Sequence, residues 1–441
     1  MRKLLTCLFS ISACLGAQAQ ADTAEEHLHP TYSLHGQATT ISQYHPDFKS
    51  PYSGMNSLLS SEPVRASISA TLFLNYHPAR NTYLVFNPEI AGGKGLSKTL
   101  GIAGFPNGEV YRVGDPKPKP FIARLYIEQR FPFSSSMIKV PDDENQVAEK
   151  THAEYLSILA GKFSLTDFFD NSEVSHDPRT QFMNWSLMGS GAWDYPANTR
   201  GYTMGAVLQA YYHDMALRTA LIAVPIEANG QELQFRYGKA MGAVIEWEKT
   251  HLLQKNDRHF TTVHAGLFFN QANMGNYDQS IASAGANAPD ITDSRRYGRT
   301  KWGWYASLDH HAGDFHWFAK TSWNDGQNET WAFTEIDRSI AAGWSLDGRA
   351  WRRADDHLGL AFVRNGISTP HRRYLAKGGY GFLIGDGTLD YGGETILETY
   401  YSLQVMKWCA ISPDIQYVCH PAYNRDRGPV IIFSLRLHAN W

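Results

Sequence analysis

Hydrophobic and polar residues alternate with a period of two along most of the chain. Residues 64–76 carry apolar side chains at the even positions and mostly polar ones between them, with Phe73 as the exception. Because successive side chains of a β-strand point to opposite faces, this pattern predicts a strand with one apolar and one polar face. The same alternation recurs at residues 84–90, 121–130, 202–212, 240–248, 261–270 and 397–405.

Clusters of Gly, Pro, Asn and Asp separate these segments. Residues 92–120 and the stretch from 266 to 299 are rich in them and predict turns and long loops. A helical period of 3.6 is hard to find over any comparable length. The sequence therefore predicts an all-β protein, and both a soluble sandwich and a membrane barrel share its alternation.

Aromatic residues and the last residues of the chain favour the barrel. Aromatic pairs such as Trp302 with Trp304 stand toward segment ends, where girdles at two lipid interfaces would place them. A sandwich core filled with aromatic residues is the alternative. Residues 431–441 alternate up to the terminal Trp441, as expected of a final strand that pairs with the first and closes the sheet. This tail resembles the signal by which bacterial outer-membrane proteins engage the barrel assembly machinery.

The first residues indicate export. Arg2 and Lys3 precede an apolar run at residues 4–16 and small residues at 17–19, the layout of a secretory signal peptide. We expect residues 1–21 to be the signal and residues 22–441 to form a single barrel domain. Removal of the two cations takes the formal net charge from -3 to -5. A lipoprotein cleavage box ending at Cys14 is the alternative, but it would leave a short apolar region.

Chain length sets the size of the barrel. At roughly ten residues per strand plus turns and outer loops, the mature chain accommodates about 16 to 18 strands. A barrel of that size has a water-filled interior. Cys409 and Cys419 are the cysteines left after cleavage. An extended strand between them would hold their sulfurs too far apart for a disulfide, so we predict free thiols.

Several short stretches occur in a characteristic order along the mature chain. They are residues 34–37, 87–89, 104–109, 111–112, 176–182, 192–196, 200–202, 323–326, 385–387 and 421–429. In these stretches the chain resembles the carbohydrate-selective porins of the OprB family. The resemblance implies a transmembrane antiparallel β-barrel of 16 strands in the bacterial outer membrane, with long extracellular loops. It also implies a channel for carbohydrates, with glucose-type monosaccharides as substrates, rather than an enzyme.

Charged residues on the polar face of each strand must point into the barrel. An Arg or Lys facing lipid at mid-depth would cost about 2–4 kcal/mol. We therefore expect a basic cluster near the constriction, with acidic partners, although a solvated lumen wall without such a cluster is the alternative. The predicted pore-lining residues are Arg65, Arg124, Glu128, Lys162, Arg218, Glu246, Glu398 and Arg436.

Two long loops are expected to fold into the lumen. Residues 167–200 include Arg179, Trp193 and Asp194, and residues 92–120 include Arg112. These side chains combine aromatic planes with hydrogen-bonding groups, which suits a sugar. They are the predicted constriction residues. The alternative is that they only fasten the loops to the barrel wall.

The sequence therefore predicts an outer-membrane porin for selective diffusion of carbohydrates, with a basic constriction that contains aromatic residues. A general or anion-selective porin, or an outer-membrane barrel enzyme, is the alternative. We expect no catalytic residues, no cofactor, no metal and no nucleic acid. Residues 386–394 have the alternating oxygen ligands of a calcium loop, but Leu397 stands where its glutamate should be. The expected partners are monosaccharides, outer-membrane lipid and the assembly machinery at Trp441, and the pattern is compatible with a homotrimer.

Overall fold

The computed structural model describes residues 31–110, 117–146, 148–254, 256 and 258–441. The predicted signal peptide and Arg112 lie outside these residues, so predictions about them stay predictions. The described strands, numbered in chain order, are β1 Tyr32–Tyr44, β2 Arg65–Ala79, β3 Thr82–Gly93, β4 Lys119–Pro132, β5 Met137–Val140, β6 Glu149–His152, β7 Tyr155–Phe163, β8 Thr203–Tyr212, β9 Met215–Ile222, β10 Val224–Pro225, β11 Leu233–Gln234, β12 Met241–Lys249, β13 His259–Met274, β14 Arg296–Ala312, β15 Phe315–Asn324, β16 Arg338–Asp347, β17 His357–Gly366, β18 Glu394–Met406, β19 Cys409–Cys419 and β20 Val430–Asn440.

Sixteen of these strands form one closed antiparallel barrel, and two small hairpins, β5–β6 and β10–β11, stand apart from it. Each barrel strand pairs with the next in chain order, and β1 pairs with β20 from Gln37 opposite Asn440 to Tyr44 opposite Phe433. Gly36 and Trp441 exchange two backbone hydrogen bonds of 2.9 Å beyond that register. The predicted closure of the last strand on the first is confirmed, as is the count of 16 strands in the part of the chain described.

Alternation along each strand separates a lipid face from a lumen face. On β20, Phe433 and Leu435 are 45% and 46% exposed on the outer surface, whereas the next residue, Arg436, is 1% exposed. The exposed apolar side chains form a band that suits lipid, and the inward polar side chains meet the contents of the barrel. Because apolar and polar residues alternate between the two faces, their hydropathies cancel in the average over the chain.

The two ends of the barrel differ in the length of their connections. At one end, residues 80–81, 213–214, 313–314 and 407–408 make two-residue turns, whereas at the other end residues 164–202 and 367–393 make long loops. Outer-membrane barrels carry short turns on the periplasmic side and long loops on the extracellular side, which orients the protein. The described residues begin, at Thr31, and end, at Trp441, on the periplasmic side.

Helices are short and lie in the loops. The α-helices of the described residues are α1 Trp185–Met188, α2 Tyr277–Ser283 and α3 Thr369–Ala376, with 3₁₀ turns at Leu96–Lys98, Leu165–Asp167, Ile291–Ser294, Gly348–Trp351 and Pro421–Tyr423. Within the same part of the chain, no helix is long and apolar enough to cross a membrane.

The prediction that residues 266–299 are turns and loops is partly wrong. Strand β13 continues to Met274, helix α2 follows, and β14 begins at Arg296. At the end of β13, Ala272 and Met274 point inward and are buried, while Gln271 points outward and is partly exposed. The end of β13 was missed because apolar residues here face the lumen and polar ones face outward, which reverses the pattern of the mid-membrane region. Asn276 caps α2 by accepting a hydrogen bond from the Gln279 amide.

The thiol prediction is confirmed. Cys409 and Cys419 stand at opposite ends of β19 and both are free.

The residues 164–202, here called the lumen loop, fold into the barrel. The largest apolar cluster among the described residues lies inside the lumen, where Phe169, Trp185 and Trp193 of this loop pack with Phe105 and Tyr305. An all-β barrel of 16 strands would otherwise enclose a wide water-filled space. The loop therefore decides the shape of the pathway through the barrel.

Candidate functional site

Side chains from the barrel wall hold the lumen loop through its backbone. Glu398 of β18 accepts hydrogen bonds from the amides of Met183 and Asn184, the second at 3.0 Å. Asn184 in turn caps α1 by accepting from the Ser186 amide at 3.0 Å. Because both carboxylate oxygens of Glu398 are engaged, this predicted pore-lining residue points inward as expected but binds protein backbone.

Arg436 of β20 fastens the tip of the same loop. Its guanidinium donates to the carbonyl oxygens of Pro178 at 2.8 Å, Thr180 at 2.9 Å and Gln181 at 2.6 Å. From another part of the wall, Lys320 of β15 donates to the carbonyl of Leu187 at 3.1 Å. These charge-assisted bonds hold the loop between distant strands of the ring.

Arg218 and Glu246 form the one acid–base pair that the predicted set contains in the described structure. Nη1 of Arg218 lies 3.1 Å from Glu246 Oε1 and 2.6 Å from Glu248 Oε2. The other Glu246 oxygen accepts from the Asp170 amide of the lumen loop at 2.6 Å. Glu246, Glu248 and His264 bring ligand atoms within 4.8 Å of one another, a spacing that a cation could use. Arg218 already supplies the positive charge there, so we assign these residues to the wall.

Arg124 and Lys162 lie near the aromatic ring of Tyr202. Arg124 donates to both carboxylate oxygens of Asp167, at 2.7 and 2.5 Å, and to Asn87 Oδ1 at 2.7 Å. Its guanidinium carbon lies 5.6 Å from the centre of the Tyr202 ring, and the Lys162 ammonium lies 6.0 Å from it. Such planar, fixed donors beside an aromatic face can orient a polyhydroxyl solute.

Arg179 reaches from the lumen loop to two carboxylates. Its Nε lies 2.8 Å from Glu109 Oε1 and its Nη2 lies 3.3 Å from Glu89 Oε2. The Tyr202 hydroxyl donates to the same Glu89 oxygen at 3.2 Å. Burial raises the pKa of Glu109 above its ordinary value, although Arg179 opposes this shift. The predicted constriction residue Arg179 thus stands in a network of alternating charge.

The remaining predicted residues have local partners. Arg65 pairs with Glu62 at 2.7 Å, and Glu128 pairs with Arg130 at 2.9 Å. Arg65, Arg124 and Arg218 therefore pair with different acidic groups and do not share one. Except for the Arg218–Glu246 pair, the proposed partnering of these bases by Glu128, Glu246 and Glu398 is wrong.

Trp193 and Asp194 lie behind the pathway rather than on it. Asp194 is fully buried and accepts hydrogen bonds from the amides of Trp331 and Ala332, both at 2.8 Å. Trp193 is 2% exposed and its ring centre lies 4.9 Å from that of Tyr305. Neither lines the cavity described next, so their geometry supports the alternative that they fasten the loop.

One cavity of about 440 Å³ lies between the lumen loop and the wall formed by β2, β3 and β4. This volume falls in the range of small-molecule sites. Among its lining residues, four aromatic rings stack in sequence: Phe105 on Trp185 at 4.9 Å between centres, Trp185 on Tyr195 at 5.8 Å and Tyr195 on Phe333 at 5.2 Å. They form an apolar wall opposite the charged network of Arg179.

The cavity carries more carboxylates than cations among the described residues. Its lining includes the carboxylates of Glu89, Glu109, Asp143, Glu144, Asp167 and Asp177 and the guanidinium groups of Arg124, Arg179 and Arg200. The described lining is therefore acidic overall, whereas the predicted constriction is basic; Arg112, one of its predicted residues, lies outside the described residues. Alternation shows which side chains face inward, but it does not show which of them the folded loops leave open to solute.

Sequence reasoning missed several residues of the cavity. Glu89, Glu109 and Tyr202 lie within the stretches that carry the family resemblance. Their position in those stretches was the available signal. Trp185 lies in the loop at residues 167–200 that the sequence already indicated. Residues 143–146 had no comparable signal, because they belong to a loop whose path a single sequence does not determine.

Comparison with known proteins places this geometry in a family. Residues 64–441 match the carbohydrate-selective porin family, OprB. The chain belongs to this family. As an OprB-family porin it lies in the bacterial outer membrane, and family and fold together indicate a channel rather than an enzyme.

A solved structure shares the fold of this OprB-family porin, and others align less closely. The high-pH structure of Pseudomonas putida OprB is 13% identical, with a TM-score of 0.69 over 93% of this chain and 94% of that one. The low-pH structure of the same protein is 10% identical, with a TM-score of 0.48 and 93% of each chain covered. The outer membrane channel DcaP of Acinetobacter baumannii is 10% identical, with a TM-score of 0.48 over 93% and 97%. Comparison with curated proteins gave no significant match.

Proposed function

We propose that this porin is a diffusion channel for neutral carbohydrates of monosaccharide size, and that they cross through the cavity of about 440 Å³. The observation that carries the proposal is that a stacked aromatic wall and fixed charged hydrogen-bonding groups line the same cavity. A sugar ring presents C–H groups on its faces and hydroxyls at its rim. The faces can pass along the aromatic rings while the hydroxyls exchange hydrogen bonds with the charged groups.

The charged groups are held in place before a solute arrives. Arg179 is fixed by Glu89 and Glu109, and Arg124 is fixed by both oxygens of Asp167. Pre-positioned groups cost less ordering entropy on binding, so weak and reversible contacts suffice for passage. Charged partners that neutralise one another also avoid holding ions tightly. This arrangement favours transient contact with a neutral hydroxyl-rich solute.

The predicted partners follow from the same architecture. We infer that the exposed apolar band contacts outer-membrane lipid and that Trp441 engages the barrel assembly machinery. Monosaccharides are the proposed solutes, and a homotrimer is compatible with the apolar outer face. A barrel enzyme is not proposed, because Arg124 and Arg179 of the cavity lining are engaged in ion pairs suited to binding a passing solute.

The proposed pathway is tested by Trp185→Ala and Arg179→Ala in planar bilayers. Wild-type single-channel current should be partly blocked by glucose-type monosaccharides. Loss of the Trp185 ring should weaken that block about tenfold or more, since stacking of an aromatic ring is worth about 1–3 kcal/mol in comparable contacts. Loss of Arg179 should raise ion conductance and weaken the block. Sugar-driven swelling of proteoliposomes provides a second readout.

Arg65→Ala is the matched control, because Arg65 pairs with Glu62 and does not line the cavity. It should leave conductance and sugar block unchanged. A wild-type channel that no sugar blocks would favour a general porin and contradict sugar selectivity. Equal block in all four proteins would contradict the assigned pathway.

A further inference from the structure

One periplasmic connection differs from the others. The residues that join β4 to β7, here called the exit hairpin (residues 133–154), carry the two strands β5 and β6, paired from Met137 opposite His152 to Val140 opposite Glu149. Four other connections at this end are two-residue turns of the kind usual in outer-membrane barrels, and the connections from β12 to β13 and from β16 to β17 span nine residues each. A long structured segment on this side needs a physical reason.

The tip of the exit hairpin reaches the solute cavity. Asp143, Glu144 and residues 145–146 line the same cavity as Glu109 and Arg179. The hairpin therefore approaches the pathway from the periplasmic side while the lumen loop approaches it from the extracellular side. A solute that leaves the charged network must pass the hairpin tip.

Polar contacts with the closing strands hold the tip in place. Asn440 Nδ2 donates to Glu144 Oε1 at 2.5 Å, and His438 Nε2 lies 3.8 Å from the same oxygen. His35 Nε2 lies 3.4 Å from Asp142 Oδ1. The tip is thus aligned with the seam between β1 and β20.

The base of the hairpin is held by another carboxylate. Glu149 accepts from the Tyr83 hydroxyl at 2.8 Å and from Arg130 at 2.7 Å, and Arg130 also donates to Thr151 at 3.3 Å. Within the described residues, no apolar side chain of β5 or β6 belongs to a buried apolar cluster. A second cavity, of about 540 Å³, separates the hairpin from the end of β2 and β3. The hairpin is consequently positioned by polar contacts rather than by an apolar core.

The tip concentrates negative charge. Asp142, Asp143 and Glu144 are consecutive, and Asp177 of the lumen loop is close enough to repel Asp143. Carboxylates this close to one another disfavour further negative charge. An anionic solute would meet the same repulsion.

We propose that the exit hairpin is a second filter, which narrows the periplasmic exit of the pathway and disfavours anionic solutes while neutral ones pass. The filter rests on the proposed function in one respect, since solutes must cross the cavity that the tip lines. It adds a determinant of specificity that is separate from the constriction and carried by a different element. Clustered like charges at a narrow, low-dielectric passage control ion access strongly.

The charge of the filter is tested with the triple variant Asp142→Asn, Asp143→Asn and Glu144→Gln. Reversal potentials in a KCl gradient should shift toward chloride, with the chloride-to-potassium permeability ratio rising roughly twofold or more. The matched control removes three carboxylates from an extracellular loop by Asp278→Asn, Asp290→Asn and Asp293→Asn, all exposed and outside the cavity lining. The control should leave the ratio unchanged. An equal shift in both triples, or no shift in the hairpin triple, would overturn the charge filter.

The narrowing is tested by replacing residues 141–148, which join Val140 to Glu149, with an Asn-Gly turn, which closes a two-stranded hairpin without strain. Single-channel conductance should rise, and sugar block should persist because the aromatic wall is intact. Heat-modifiable migration in electrophoresis establishes that each variant is a folded barrel. If wild type conducts and is blocked by sugar but neither hairpin variant differs from it, the filter is refuted and the proposed function stands. If wild type does not show sugar block, the proposed function fails, and the reversal potentials still decide whether the hairpin sets ion preference.

Discussion

At the scale of single residues, an inward-facing carboxylate of this barrel serves one of two purposes. Glu89 and Glu109 face the cavity, where they hold Arg179 and remain available to solute. Glu398 is fully buried and both of its oxygens bind amides of the lumen loop. The difference is whether the lumen loop covers the carboxylate or leaves it open to the cavity.

Removing Glu398 should loosen the lumen loop. Glu398→Ala leaves the amides of Met183 and Asn184 without their acceptor, at a cost of about 1–3 kcal/mol for each buried unpaired group. We expect larger current fluctuations and less uniform conductance levels in single-channel recordings. Glu398→Gln keeps one acceptor oxygen and should fall between wild type and the alanine variant. Recordings of Glu398→Ala that match wild type would show that other contacts suffice to hold the loop.

The carboxylate of Glu62 should make the extracellular end sensitive to acid. Burial opposes its ionisation, but hydrogen bonds from His45, Ser97 and Arg65 outweigh burial and lower the pKa of Glu62 from 4.5 to about 2. An acid with a depressed pKa stabilises the fold above its unfolded pKa, and this contribution disappears as the pH falls through the folded value. The hydrogen bonds that attach Ser97 to Glu62 should therefore weaken between about pH 4.5 and pH 2.

Hydrogen exchange at Ser97 measures this attachment, because its amide donates to both Glu62 oxygens at 2.7 and 3.0 Å. Exchange of the peptide that contains Ser97 should accelerate in Glu62→Gln at neutral pH, by about 1–3 kcal/mol in opening free energy. Glu232→Gln, at an exposed glutamate, is the control and should not change it. Equal protection in wild type and Glu62→Gln would refute the assigned contact.

At the scale of elements, the seam between β1 and β20 is tightly packed at Gly36. Gly36 exchanges backbone hydrogen bonds with Trp441, and a Cβ at Gly36 would stand 2.3 Å from the indole ring. Gly36→Val should displace Trp441 and cost about 1–3 kcal/mol, as overpacking does. A smaller heat-modifiable fraction after refolding measures the effect. Gly238→Val, at a glycine with open space around it, should refold like wild type.

Sequence reasoning predicted strands well and partners poorly. The alternation that predicts β20 also fixes which of its side chains face lipid, since a strand has two faces. It identified a loop at residues 167–200 close to the lumen loop that is found. It could not show that Arg436 would bind the carbonyls of Pro178 and Thr180, because those contacts join residues distant in sequence. The β5 and β6 strands were missed because they are short and polar at the tip.

At the scale of the whole molecule, the barrel and its contents have separate tasks. The wall provides sixteen strands and a lipid face, whereas the loops and the exit hairpin decide what the pathway admits. The formal charge of the chain, -3, says nothing about this division. Net charge sums the exposed loops with the cavity, so the acidic surplus of the cavity emerges only from the folded arrangement.

The wall holds the lumen loop through its main chain, and this has a consequence for how such channels diversify. Glu398 accepts hydrogen bonds from backbone amides, whereas Arg436 and Lys320 donate to carbonyl oxygens. Main-chain amides and carbonyls are present whatever the loop's side chains are. Substitutions on the solute-facing side of the loop can therefore accumulate without releasing it from the wall. Porins that share this barrel and this loop attachment can therefore diverge in the solutes that they admit.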